Sequence, residues 1–116
     1  MLGHPTGRLL LSREPFAIDL KQVIDASKKY GVIIELNANP HRFDLDWRVC
    51  KLAKEKGVPV SINPDAHHSG SLSDTNFGVG IAQKGWLSST DVFNTLPLPK
   101  ILASLGSRSK VRPLNR

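Results

Sequence analysis

The chain has 116 residues, 40% hydrophobic and 22% charged, with a formal net charge of +6. That length allows one domain rather than two. No apolar run is long enough to span a bilayer, and a single cysteine, Cys50, excludes an internal disulfide and suits a reducing, cytoplasmic setting. Residues 1–99 carry eleven Lys/Arg against ten Asp/Glu, so the positive excess comes from Lys100, Arg108, Lys110, Arg112 and Arg116. This pattern describes a basic, apolar-poor tail over residues 106–116, expected to be solvated and disordered, more than a nucleic-acid-binding body. Met1 to Pro5 lacks the basic start and apolar core of a signal peptide.

The remainder reads as strand-then-helix units. Leu20, Val23, Ile24 and Ser27 follow helical spacing, with Asp19 as N-cap and Gly31 as the stop. Residues 32–36 then form a β-rich strand. A second helix is expected after Asp44, with Leu45, Val49, Leu52 and Ala53 on one face, Cys50 as a packing residue and Gly57 as its end. Residues 58–62 form the next strand. The blocks 31–37 and 57–63 echo one another: each follows a Lys-rich helix end, starts on Gly-Val and finishes on Asn. Two such units predict an α/β fold with parallel strands, and Asn37, Asn39, Asn63, Asp65 and His67 would share one rim. Beyond Gly70, Ser71 to Asp74 can open a short helix, and Val79 to Trp86 is expected to be helical. Ser89-Thr90-Asp91 should cap a helix running through Val92 and Phe93. Leu96 to Pro99 interrupts it, and Ile101 to Ala103 form a last apolar turn. Trp47 and Trp86 read as packing residues.

Chemistry collects where parallel strands end, and Asp65-Ala66-His67 follows the second strand. On extended backbone the two side chains project to one side and can reach a single divalent ion; the plainer reading is a capping Asp beside a partly buried His. In His4-Pro5-Thr6-Gly7-Arg8, a histidine before proline is expected on extended backbone. It stands where a preceding strand would end, which makes His4 a third candidate ligand. Glu35, mid-strand, is a buried ion pair, an edge residue or a further ligand. Arg8 and Arg42 can grip phosphate in bidentate fashion or form surface salt bridges. His41 and His68 read as neighbours of the site.

Taken in order, His4-Pro5-Thr6-Gly7-Arg8, Glu35 to Pro40 with Arg42 to Leu45, and Asn63-Pro64-Asp65-Ala66-His67 resemble the C-terminal part of the PHP (polymerase and histidinol phosphatase) domain. Gly78-Val79-Gly80, Gly85-Trp86-Leu87 and Asp91 to Pro97 continue the likeness. The version it looks most like is attached to bacterial and archaeal family X DNA polymerases, and the likeness covers residues 1–105. It implies a partial (β/α)7-type barrel of about three βα units, not closed by this chain alone. It also implies divalent metal ions, Mn or Zn, held in part by His4, Asp65 and His67, with Arg8, Arg42, Asn37 and Asn39 toward the phosphate. The implied activity is metal-dependent phosphoester hydrolysis of the 3′–5′ exonuclease or DNA 3′-end processing kind, in DNA repair. A histidinol-phosphatase-like phosphomonoesterase, or a non-catalytic truncated fragment, is the alternative. The family's earlier ligands would precede residue 1, so the isolated chain is expected to be inactive. DNA, the preceding part of the domain and a polymerase module are the implied partners, with no membrane.

Overall fold

The computed structural model describes residues 1–106, so the expected basic tail, Gly106 apart, lies outside the described residues. Both helix-to-strand junctions form, and the same local chemistry builds each. The first helix, α1 (Leu20–Tyr30), starts at Asp19, whose carboxylate accepts the Gln22 N–H at 3.1 Å. The second, α2 (Trp47–Lys56), starts at Asp46, two residues later than expected, with the Arg48 N–H at 2.8 Å. Each ends on a left-handed glycine, Gly31 (φ 63°) and Gly57 (φ 67°). The following valines donate back into the helix, Val32 to the Ser27 carbonyl and Val58 to that of Ala53, both at 2.8 Å. These N–H groups are therefore unavailable to a sheet. The strands begin later than the apolar runs do, as β1 (Ile34–Asn37) and β2 (Val60–Asn63).

The strands pair in parallel from Ile34 opposite Val60 to Asn37 opposite Asn63. Leu2 bridges Ile34 and Val92 bridges Val60, both in parallel sense, so four segments lie in the order Leu2, β1, β2, Val92. Because alternate residues face opposite sides, Ile34, Leu36, Val60 and Ile62 meet Ile24, Cys50, Ala53 and Ala82 in the core. Each isoleucine, leucine or valine among them contributes about 1.5–3 kcal/mol on withdrawal from water. Glu35, Asn37, Ser61 and Asn63 fall on the other face. The described residues thus form a mixed α/β unit with an open parallel sheet. Burial pushes the Cys50 thiol up to about 12, which makes it the packing residue expected from sequence.

Beyond β2 the expected boundaries move. A 3-10 turn over Ser69–Asp74 runs directly into α3 (Thr75–Lys84), which starts earlier than the apolar pattern indicated. The helix expected through Val92 and Phe93 is replaced by 3-10 turns at Ser89–Asp91 and Phe93–Thr95. Val92 between them is extended because it joins the sheet edge. There Asn94 extends the ladder with its side chain, donating to the Ile62 carbonyl at 2.7 Å and accepting the Ile62 N–H at 3.1 Å. The last apolar turn is a full helix, α4 (Leu98–Gly106), with Pro99 in its first turn, where a missing N–H breaks no helical bond. Among the described residues no helix is long and apolar enough to cross a membrane.

The α2 cap carries a pH signature. Hydrogen bonds from the Arg48 side chain, then its backbone N–H, hold the Asp46 carboxyl down to about 2, against 3.8 for an unperturbed aspartate. Its contribution is complete above the unfolded value and is lost as pH falls through the folded one. Asp46→Asn is expected to flatten the acid side of a plot of thermal midpoint against pH, between about pH 4 and pH 2; an unchanged acid limb would assign that loss to other carboxylates.

Candidate functional site

The polar face of the sheet is tied together by Glu35. Its Oε1 accepts from Asn63 Nδ2 at 2.9 Å, and its Oε2 accepts the His4 N–H at 2.8 Å and Asn37 Nδ2 at 3.4 Å. One carboxylate thus links the Leu2 segment, β1 and β2. Sequence suggested a buried ion pair, an edge position or a ligand; the structure instead gives Glu35 as a half-buried acceptor of amide N–H groups. Asn37, fully buried, accepts the Asn39 N–H through Oδ1 at 3.0 Å, which fixes its amide so that Nδ2 faces His4 Nδ1 at 3.2 Å. Asn39 in turn accepts the His41 N–H at 2.9 Å.

Sequence reasoning missed Asp44 as part of this rim. It reads locally as a helix start, yet it is fully buried and accepts the Thr6 N–H at 3.0 Å and the Gly7 N–H at 3.1 Å. Asp44 also pairs through its backbone with Asn37. It therefore fastens the loop that carries His4 to the end of β1. Arg8 strengthens the same junction, with Nε on the Arg42 carbonyl at 2.9 Å and a terminal nitrogen on the Phe43 carbonyl. A signal was present in sequence: an Asp just before Leu45 with a second Asp two places on, of which only one can cap.

Asp65 and His67 stand beyond the end of β2. The backbone at Asp65 is left-handed (φ 53°), as it is at His4 (φ 45°), so neither lies on the extended chain expected from sequence. β2 stops at Asn63 and the chain turns at once. Left-handed backbone at non-glycine residues costs free energy and collects at functional sites. Asp65 Oδ2 pairs with Arg42 Nε at 3.2 Å, both side chains largely buried, and Arg42 also reaches the Arg8 carbonyl at 3.4 Å. His67 folds back so that Nδ1 lies 2.8 Å from the Asp65 carbonyl. That carbonyl can only accept, so Nδ1 carries the proton and Nε2 the lone pair. His41 and His68 are exposed beside this loop.

The described residues thus bring His4, Glu35, Asn37 and Asn63 into one network. A second links Arg8 with Arg42 and Asp65, and His67 leans on the Asp65 backbone. Among the described residues, no three His, Cys, Asp or Glu side chains converge as a ligand set. The donor chemistry fits a metal in part. Nε2 of His67 is free to ligate with Nδ1 anchored, the arrangement common at metal-binding histidines. His4 in this orientation has its Nδ1 lone pair directed at the Asn37 amide, and would have to give up that contact or turn its ring.

No family model matches the chain. It is 41% identical over 105 residues to the DNA polymerase/3′-5′ exonuclease PolX of Bacillus subtilis, a match covering 90% of this chain and 18% of that protein. It is 26% identical over 101 residues to a probable phosphatase of a Thermoanaerobacter species, covering 82% of this chain and 39% of that protein. A probable phosphatase of Caldanaerobacter subterraneus is 32% identical over 73 residues, covering 58% of this chain and 26% of that protein. The chain therefore spans less than two fifths of each of these relatives. The chain is thus similar over most of its own length to a PolX and to a probable phosphatase, as its resemblance to the PHP family implies.

Proposed function

We propose that this chain supplies the C-terminal strands of a (β/α)7-type PHP barrel, and with them part of a metal-dependent phosphoesterase centre acting on DNA 3′ ends. The observation that carries the reading is His67, whose Nδ1 is anchored on the Asp65 carbonyl so that the Nε2 lone pair is left to ligate, two residues after the Asp65 carboxylate. His67, Asp65 and, after release from Asn37, His4 would hold a divalent ion, Mn or Zn. When bound, that ion supplies Lewis acidity for attack of water on a phosphate. The chain's own residues bind and orient. Arg42 fixes Asp65 and offers further N–H groups to a phosphate oxygen. Arg8, with Nε and one terminal nitrogen engaged, would meet phosphate through its other terminal nitrogen. Asn39 would do so through Nδ2, since its oxygen serves His41. Asn37 holds the His4 ring.

The phosphatase relatives favour a second reading, hydrolysis of small phosphomonoesters. Calorimetric titration of the chain with Mn²⁺ and Zn²⁺ tests the shared core. His67→Ala and Asp65→Asn are expected to weaken binding by at least about tenfold, and unchanged affinity in both variants would sink the site. In a full-length relative carrying these residues, faster hydrolysis of an oligonucleotide 3′ end than of a small monoester supports the first reading; the reverse preference supports the second.

A further inference from the structure

We propose that Trp86 and Trp47, with Lys51 and Lys84, form a base-stacking strip for a single nucleic-acid strand on the outer surface between α2 and α3. The proposal deepens the phosphoesterase reading, on which it rests for the class of partner. Sequence suggested that both indoles are packing residues, yet Trp86 is 70% exposed. Its backbone is also anchored. Its backbone is left-handed (φ 64°), its N–H donates to the Gln83 carbonyl at 2.9 Å, and its carbonyl accepts from Lys54 Nζ. The preceding Gly85 is buried so tightly that a Cβ there would lie 2.8 Å from the Trp47 carbonyl and 2.9 Å from Cys50 Cβ. A large apolar ring is thus displayed from an anchored backbone, so that stacking need order only its two side-chain torsions.

Cations surround both rings. Lys51 Nζ lies 5.2 Å from the centre of Trp86, and Lys84 Nζ and Arg48 Cζ lie 5.4 and 5.7 Å from that of Trp47. Lys84 pairs with no carboxylate among the described residues. Lys51 meets Glu55 only at 3.9 Å, Lys54 meets Asp91 at 3.3 Å and Arg48 meets Asp46 at 2.8 Å. The Lys51 pair is exposed at both ends, contributes little and is readily exchanged for a phosphate. Trp47 and Lys84 also line a cavity of about 220 Å³ together with Arg8 and Phe43, which connects the strip to the strand-end rim. A ligand matching this surface has flat aromatic faces joined by anionic linkers, as a single nucleic-acid strand has. An acidic peptide offers the charge without the faces, and lysine is depleted at protein–protein contacts.

The test uses the full chain in EDTA, so that no hydrolysis intervenes. Anisotropy is measured with a labelled oligothymidylate of about ten nucleotides and with an abasic oligomer of equal length. The wild type is expected to prefer the base-bearing strand by about tenfold. Trp86→Ala should abolish that preference with an unchanged circular dichroism spectrum, since the ring is exposed. Lys84→Ala should weaken both oligomers alike and lower the salt dependence. Absence of oligomer binding, a base preference surviving in Trp86→Ala, or equal binding of polyglutamate would overturn the proposal. A preserved base preference with no metal binding at His67 would sink the phosphoesterase reading and leave the strip standing.

Discussion

Replacing Asp44 with alanine is expected to lower the unfolding free energy by about 2 kcal/mol, a loss of more than one order of magnitude in the folding equilibrium. The carboxylate is inaccessible to solvent and is the acceptor for two backbone N–H groups, those of Thr6 and Gly7, which are themselves buried. Alanine leaves the Thr6 N–H without an acceptor in a space that water does not reach, while the Gly7 N–H keeps its bond to the His4 carbonyl at 3.1 Å; an unmet buried donor costs about 1–3 kcal/mol. Asn is the informative companion. Its oxygen can serve one N–H while its amide nitrogen faces the other, so Asp44→Asn should fall between wild type and Asp44→Ala in urea unfolding. A loss below about 1 kcal/mol in the alanine variant would mean that the loop from His4 to Arg8 is held by Arg8 rather than by Asp44. The same variant should release His4 from Asn37, visible as faster amide exchange at Thr6 and Gly7.

Gly78→Val is expected to be at least as damaging, for the opposite reason. The helix α3 crosses the sheet at Gly78, where an added Cβ would stand 2.5 Å from Ile62 Cγ2 and 2.8 Å from Ala38 Cβ. Neither neighbour can retreat: Ala38 is fully buried, and Ile62 lies in β2 with Asn94 closing on its backbone. Overpacking of this kind costs about 1–3 kcal/mol, and a branched side chain should sit at or above the top of that range. Two residues on, a Cβ at Gly80 meets nothing within 4 Å. Gly80→Ala should therefore stabilise α3 by up to about 1 kcal/mol through helix propensity. The pair differ by two places in one helix and are predicted to move the thermal midpoint in opposite directions. Movement in the same direction would show that α3 does not approach the sheet at Gly78.

What was legible in the sequence is what local chemistry decides. Asp19, Gly31 and Gly57 mark helix ends because a cap needs only its own turn, and the matching Gly-to-Asn blocks gave the parallel pairing of β1 and β2. The strand starts were misjudged because Val32 and Val58 look like strand residues while their N–H groups still serve the helices. Asp44 was hidden because its partners are 37 and 38 positions away, a distance at which no local pattern operates. Asp65 and His4 were placed on extended backbone because one follows a strand and the other precedes proline. In fact β2 ends at Asn63, short of Asp65, and the chain turns through a left-handed residue at each of the two positions. Trp86 misled for a simpler reason: a tryptophan is usually buried, and nothing around it in sequence marks the corner that exposes it.

The matched spacing from Gly31 to Asn37 and from Gly57 to Asn63 has a consequence for how such a chain can change over time. Within each block the glycine sets where the helix stops and the asparagine where the strand delivers its last side chain, with the pleat alternating between them. Adding or removing one residue inside a block would hand Glu35 or Ser61 to the helices and turn Leu36 or Ile62 toward the rim. Substitutions there can be absorbed singly; changes in length cannot. Insertions and deletions in related chains should accordingly gather in stretches such as residues 9–18, where most side chains are exposed, and spare both blocks.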